Sequence, residues 1–212
     1  MAGYYYGSLI SAVNQAVSAA GGRLTATSTA AFSSGYHREH VIEDLPHLGW
    51  DRIDGFVTIA NAISLEYLEK LRDASKPVVA LGHAEPSCSY PAVLPDNQGG
   101  IRQAVEHLLE HGHTRIAFAG SMQQYDVSER YAAYRDALLA HGTEPDPALM
   151  YDIEDNHEFA GRHAAEAMLA AGLPSTAVVA ATDLNAAGIM AALKEAGHVL
   201  PNDQHGAPGP GE

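Results

Sequence analysis

Five helical stretches in this chain run into a glycine, and an apolar run or its lead-in follows each one. The stops are Gly21-Gly22, Gly112, Gly142, Gly172 and Gly197. A glycine just past a helix supplies the left-handed residue that closes it. The runs that come next, such as Ile116-Ala117-Phe118-Ala119, are apolar at every position. That is the pattern of a strand covered on both faces, not of a half-exposed hairpin strand. Strands alternating with helices of this length require crossover connections and a parallel sheet with helices on its two faces. The fold class is therefore α/β.

The stretch from Val93 to Leu138 states the pattern most fully. Asp96 and Asn97 can accept the free N–H groups of a first helical turn. Ile101, Ala104, Val105, Leu108 and Leu109 then repeat at helical spacing up to Gly112. A buried strand over Arg115 to Gly120, a loop and a second amphipathic helix with Tyr131, Tyr134 and Leu138 inward come next. Before this stretch, Tyr4-Tyr5-Tyr6-Gly7 leads into a helix with Leu9, Val13, Ala16, Val17 and Ala20 on one face. Strands are expected over Arg23–Thr29, Ile53–Ile59 (buried) and Pro77–Leu81, and helices over Arg38–Leu48 and Leu65–Asp73. After it, strands are expected over Ala148–Ile153 and Thr176–Ala181. Helices are expected over Phe159–Ala171 and Asn185–Ala196. The alternation divides near Leu94 to Asn97, which gives a first lobe over 1–95, a second over 96–203 and a Gly/Pro-rich tail over 204–212. The tail carries no apolar content with which to offset its ordering entropy, and is expected to be disordered.

Composition removes several function classes. With 26 acidic and 12 basic residues the formal net charge is −14, and no Lys/Arg cluster exists. A module that grips nucleic acid by itself needs a basic patch, because phosphate neutralisation supplies most of its affinity. No run approaches the ~20 apolar residues of a membrane span. The single cysteine, Cys88, excludes an internal disulfide and, with no leader-like N-terminus, points to the cytoplasm. No nucleophile elbow, phosphate loop or dinucleotide fingerprint occurs, so no catalytic residue and no cofactor is expected. His107, His111 and His113 invite a metal, but a helix end and its turn explain their spacing, and no metal site is expected.

The ordered set Asp96, Asn97, Gly100, His107, Leu108, Gly112, His113, Ile116, Ala117 and Arg130 resembles the effector-binding core of the LacI/GalR repressor family. The resemblance implies two doubly wound parallel-sheet lobes of the type I periplasmic-binding-protein kind, with an effector in the crevice between them. It implies a first strand missing before Tyr4, final strands missing after Asp203, and a DNA-binding headpiece that this chain lacks. Lost burial at ~25 cal/mol per Å² readily exceeds a net stability of ~5–15 kcal/mol, so marginal stability or aggregation is expected.

The resemblance also nominates residues. Arg130 is the leading ligand residue, since a guanidinium offers a rigid fork of donors to vicinal hydroxyls or a carboxylate. The other reading of Arg130 is a helix-start arginine paired with Asp126 or Glu129. Asp126 stands where the family often has a small hydroxyl residue, which favours a polyol or cationic group over an anion. Thr182 replaces an asparagine that often contacts effector, and Asp183 is either a helix cap or a ligand. Tyr5 and Tyr6 occupy a loop that faces the crevice, where aromatic faces pack on sugars, and His83 lies in another such loop. The function implied is a non-enzymatic sensor of a sugar, polyol or nucleoside. It would be homodimeric when complete and would bind DNA only through the headpiece, with no membrane partner. The alternatives are the input module of a signalling enzyme, or a solute-binding protein.

Overall fold

The computed structural model describes residues 2–27, 50–60, 63–82 and 90–200, with side chains from residue 6 and at all of these except 50. The chain divides into two compact units, Met1–Pro95 and Asp96–Glu212.

In the first unit, α1 (Ala2–Ala19) is followed, across residues outside the description, by a 3-10 turn at Trp50–Arg52, β1 (Phe56–Ile59), α2 (Leu65–Asp73), β2 (Val78–Leu81) and β3 (Ala92–Val93). The strands are parallel in the order β1-β2-β3. Ser64 opens α2 by accepting from the Tyr67 N–H at 3.2 Å, and Leu68 and Leu71 pack on Val78 beside Phe56, Ile63, Tyr67 and Tyr90. Three expectations are corrected here. Tyr4, Tyr5 and Tyr6 lie inside α1 and not in a loop, because no proline or turn pair stops the helix from starting at Ala2. Residues 23–27 form no strand, since no described segment offers them a ladder. The segment Ile53–Ile59 enters the sheet only at Phe56, whose N–H donates to Pro77 O at 2.8 Å, and with a single neighbour among the described strands it leaves Val57 42% exposed. The expected helix at Arg38–Leu48, the residue His83 and the tail 204–212 lie outside the described residues.

The second unit runs α3 (Asn97–Glu110), β4 (Ile116–Gly120), α4 (Tyr125–Ala140), β5 (Met150–Asp152), α5 (Glu158–Ala170), β6 (Ala177–Ala180) and α6 (Asp183–Glu195). Its sheet is parallel in the order β5-β4-β6, with Phe118 opposite Met150 and Ala117 opposite Val178. Every β4 residue is buried. The alternation of a strand's side chains sends Ile116 and Phe118 to one face, against Val105 of α3 and Val127, Tyr134 and Leu138 of α4. It sends Ala117 and Ala119 to the other, against Ala160, Ala164, Ala165 and Met168 of α5 and Ile189, Ala192 and Leu193 of α6. Helix, sheet, helix is thus the layering of this unit. At the end of α3, Gly112 takes φ 86° and lets the His113 N–H reach back to Leu108 O at 3.0 Å. The segment expected as a strand from Ala148 instead begins as a 3-10 turn, Pro147–Leu149, capped by Asp146, and extends only from Met150.

Candidate ligand site at the carboxyl ends of the second sheet

In a parallel sheet flanked by helices, loops leaving the carboxyl ends of the strands form the natural ligand-facing rim. In the second unit those loops follow β4, β5 and β6, and all three are tied together by polar side chains.

The tie begins at α3. Asp96 caps the helix with Oδ1, which accepts from the Gly99 N–H at 2.7 Å. A Cβ on residue 99 would stand 2.1 Å from the Asp96 carboxylate, so any larger residue there would make the capping side chain shift. This capping turn presents Asn97 to α4. The Asn97 amide donates from Nδ2 to Glu129 Oε2 at 2.9 Å, and its Oδ1 accepts from Arg130 Nε at 2.9 Å. Arg130 then reaches the third strand, donating from Nη1 to Ala181 O at 2.6 Å, and pairs through Nη2 with Asp126 Oδ2 at 3.1 Å. The Asp126–Arg130 pair is the i,i+4 arrangement with the acid nearer the helix N-terminus, the favourable order. Arg130 does not open its helix, as expected from sequence, but lies in the second turn of α4, which starts at Tyr125. The Arg130 side chain stays 21% exposed, so it is not sealed from solvent.

The β6 end is organised around an asparagine that the sequence reading passed over. Thr182, not Asp183, caps α6, with Oγ1 accepting from the Asn185 N–H at 3.2 Å. A residue in extended backbone directly before the helix is the one that can cap it, and Asp183 already lies in the first turn, exposed to solvent. Thr182 Oγ1 donates in turn to Asn185 Oδ1 at 2.9 Å. Asn185 is fully buried, and its Nδ2 donates to Asp155 O and His157 O at 3.2 and 3.1 Å. It thereby clamps the loop after β5 onto α6. Asp155 tightens the same loop by accepting from the His157 N–H at 2.7 Å, and Asp152 accepts from the Met122 N–H at 3.0 Å, joining the β5 loop to the β4 loop. The Thr182-x-x-Asn185 spacing was the available signal.

Two polar atoms at this rim are buried without a partner: Ser121 Oγ, directly after β4, and Asn156 Oδ1, in the β5 loop. A buried polar atom without a hydrogen bond costs about 1–3 kcal/mol, so such atoms mark places where water or a ligand belongs. The rim therefore brings Asp126, Arg130, Thr182 and Asp183 to one end of one sheet, and adds Ser121, Asn97 and Asn156. Tyr6 belongs to the first unit, half-buried in α1; the side chain of Tyr5 and all of His83 lie outside the description. At the opposite end of β4 an open cleft of about 200 Å³ includes Arg115, Tyr134 and Asp146. Its strongest donors are already spent, Arg115 Nε on Pro174 O at 2.6 Å and Tyr134 Oη on Ile116 O at 2.7 Å. Among the described residues no group of three or more His, Cys, Asp or Glu could hold a metal ion, and no helix is long and apolar enough to cross a membrane.

Residues 4–206 match the family model described as periplasmic binding proteins and sugar binding domain of LacI family. Among curated relatives, the HTH-type transcriptional regulator CelR of Thermobifida fusca is 33% identical over 162 residues, 74% of this chain and 47% of that protein. GalR of Escherichia coli is 28% identical over 204 residues, 94% of this chain and 57% of that protein. The chain thus spans about half the length of the curated relatives it matches. A sugar-binding LacI-family regulator from E. coli, solved with phosphate, superposes with a TM-score of 0.63 at 31% identity, over 72% of this chain and 55% of that one. An Enterococcus faecium LacI-family regulator with bound ribose gives 0.65 at 26%, over 71% and 56%. Strand order, layering, motif order and these matches agree: the chain belongs to the family of periplasmic binding proteins and LacI-type sugar-binding domains.

Proposed function

We propose that this chain is the effector-sensing core of a LacI-type transcriptional regulator, and that the rim of its second sheet holds a small polyhydroxylated molecule. The observation that carries the reading is Arg130. Its guanidinium is fixed by Asn97, Asp126 and the end of β6 while the side chain stays 21% exposed, at the same end of the sheet as the unpartnered Ser121 Oγ and Asn156 Oδ1. A donor fork held rigid by its own scaffold loses little entropy on binding, which is how a site of few contacts gains affinity. The relatives named above are regulators, which favours this reading over the input module of a signalling enzyme or a solute-binding protein. The role is non-catalytic: the molecule acts by its differential affinity for two arrangements of the protein. Contact with DNA falls to a headpiece outside this chain, in a homodimer.

Isothermal titration of the full chain with D-ribose, D-glucose and D-galactose tests the proposal. At least one sugar is expected to bind, and Arg130→Gln is expected to weaken it at least tenfold, about 1.4 kcal/mol. Absence of binding across the set, or an unchanged affinity in the variant, overturns it.

A further inference from the structure

A rim built from helix N-termini and an arginine is ordinarily a place for anions. Here each of those positive features already carries its own carboxylate. Asp126 stands in the first turn of α4, Glu158 in that of α5 and Asp183 in that of α6. Asp126 serves twice, because it also pairs with Arg130 at 3.1 Å. Across the three rim segments, 121–130, 152–158 and 181–184, seven acidic residues stand against one arginine and no lysine.

We infer that this rim selects an uncharged polyol and rejects its phosphorylated or carboxylated counterparts, with Asp126 as the residue that sets the selection. This rests on reading the rim as the effector site. Of the guanidinium's five N–H donors, one each is engaged by Asn97, Ala181 and Asp126, which leaves two for a ligand. Two such donors beside the second carboxylate oxygen of Asp126 form a donor and acceptor set that matches neighbouring hydroxyls, each of which both donates and accepts. An ionised carboxylate, or the dianion of a sugar phosphate that prevails at neutral pH, can only accept at its charged group. Seated on the same two N–H groups, it would bring its charge against Asp126, with no further cation in the rim to offset the repulsion. Asp126 is also hard to displace, since moving it away would leave Arg130 without its counter-charge.

The test is isothermal titration of the full chain with matched pairs: D-ribose and D-ribose 5-phosphate, D-glucose and D-glucose 6-phosphate, D-galactose and D-galactose 1-phosphate, with inorganic phosphate as competitor. In the native chain the neutral member is expected to bind at least tenfold tighter than its phosphate. Inorganic phosphate at millimolar concentration is expected not to displace it. Asp126→Asn keeps the shape and removes the charge, and is expected to narrow the ratio at least tenfold. If Asp126→Asn does not fold, Asp183→Asn, on an exposed residue, is expected to narrow it in the same direction by a smaller factor. A native chain that binds a phosphorylated sugar as tightly as the neutral one overturns the inference and leaves the site reading standing. Binding of neither member of any pair overturns both. An unchanged ratio in whichever variant folds removes the carboxylate from the role.

Discussion

Gly188 of α6 and Gly161 of α5 let these two helices touch backbone to backbone, and replacing Gly188 by alanine sets two effects of opposite sign against each other. Alanine is favoured over glycine inside a helix by about 0.8–1.0 kcal/mol, so propensity alone predicts a more stable protein. Geometry predicts the reverse. A Cβ on residue 188 would stand 1.9 Å from the carbonyl oxygen of Glu158 and 2.9 Å from the Arg162 nitrogen; one on residue 161 would stand 2.2 Å from Asn185 O. These atoms are backbone, with no rotamer into which to retreat. Reaching ordinary contact at 3.4 Å from Glu158 O requires the helices to part by about 1.5 Å. Below that contact lie Ala164, Ala165, Met168, Ile189 and Leu193, none more than 4% exposed. A gap of even ~0.5–1 Å forfeits a quarter to a half of the dispersion energy across such an interface. Overpacking typically costs ~1–3 kcal/mol, and a rigid obstruction belongs at the upper end of that range. After the propensity gain the net expectation is a loss of about 2 kcal/mol. Hydrogen exchange of the β4, α5 and α6 amides reads this as faster opening by roughly thirtyfold. Gly161→Ala is expected to behave alike, and the double variant to cost less than the sum, because one separation relieves both clashes. Unchanged or slower exchange in Gly188→Ala would refute the close approach on which this rests.

Other outcomes follow from single side chains. Asn185→Ala leaves the Asp155 and His157 carbonyls without their donor, and is expected to cost about 2–4 kcal/mol and to raise amide exchange in residues 155–158 before it does so elsewhere. Arg130→Lys keeps the charge but cannot serve Asn97, Asp126 and Ala181 O together, so sugar affinity by titration calorimetry is expected to fall at least tenfold. Tyr134 donates to Ile116 O from a site 2% exposed, and burial, with Tyr131 and Asp146 nearby, pushes its phenol up to about 12. The unfolded chain releases that proton near ~10, so this contribution to stability is complete below pH 10 and is lost as pH rises from there through about 12. Tyr134→Phe is expected to be less stable by about 1–2 kcal/mol at neutral pH, and to show a shallower alkaline loss of far-ultraviolet circular dichroism.

Much of the second unit was legible because its signals are local. Apolar runs such as Ile116–Ala119, the Asp96 cap and the glycine after each helix act over a handful of residues, and the elements found there lie within a few positions of those read from sequence. The first unit was less legible because strand formation needs a neighbour. Arg23–Thr29 has β-favouring residues, yet residues 23–27 have no described ladder to join. Val57 belongs to an apolar run yet is exposed, because among the described residues β1 has a neighbour on one side only. Helix starts also drifted. The Arg130 helix begins five residues earlier than its arginine because Tyr125–Glu129 contains nothing that stops a helix, and the α6 cap is the threonine before the aspartate.

The site was legible only as a set of residue types, and the reason is the length of the links that make it. Asn97 and Arg130 are 33 positions apart, Arg130 and Ala181 51, and Asn185 and Asp155 30. No spacing rule spans such distances; only the sheet order β5-β4-β6 brings them to one end. That order also decides which groups Arg130 touches. The choice between a bland helix-surface pair and a ligand residue is not exclusive, because the same guanidinium makes the Asp126 pair, braces two other segments and still keeps two N–H groups. A surface pair alone would be worth ~0–1 kcal/mol and would tolerate lysine. A brace that also meets ligand would not tolerate lysine in either role. The lysine variant therefore separates the two readings more sharply than any truncation to alanine, which would damage both alike.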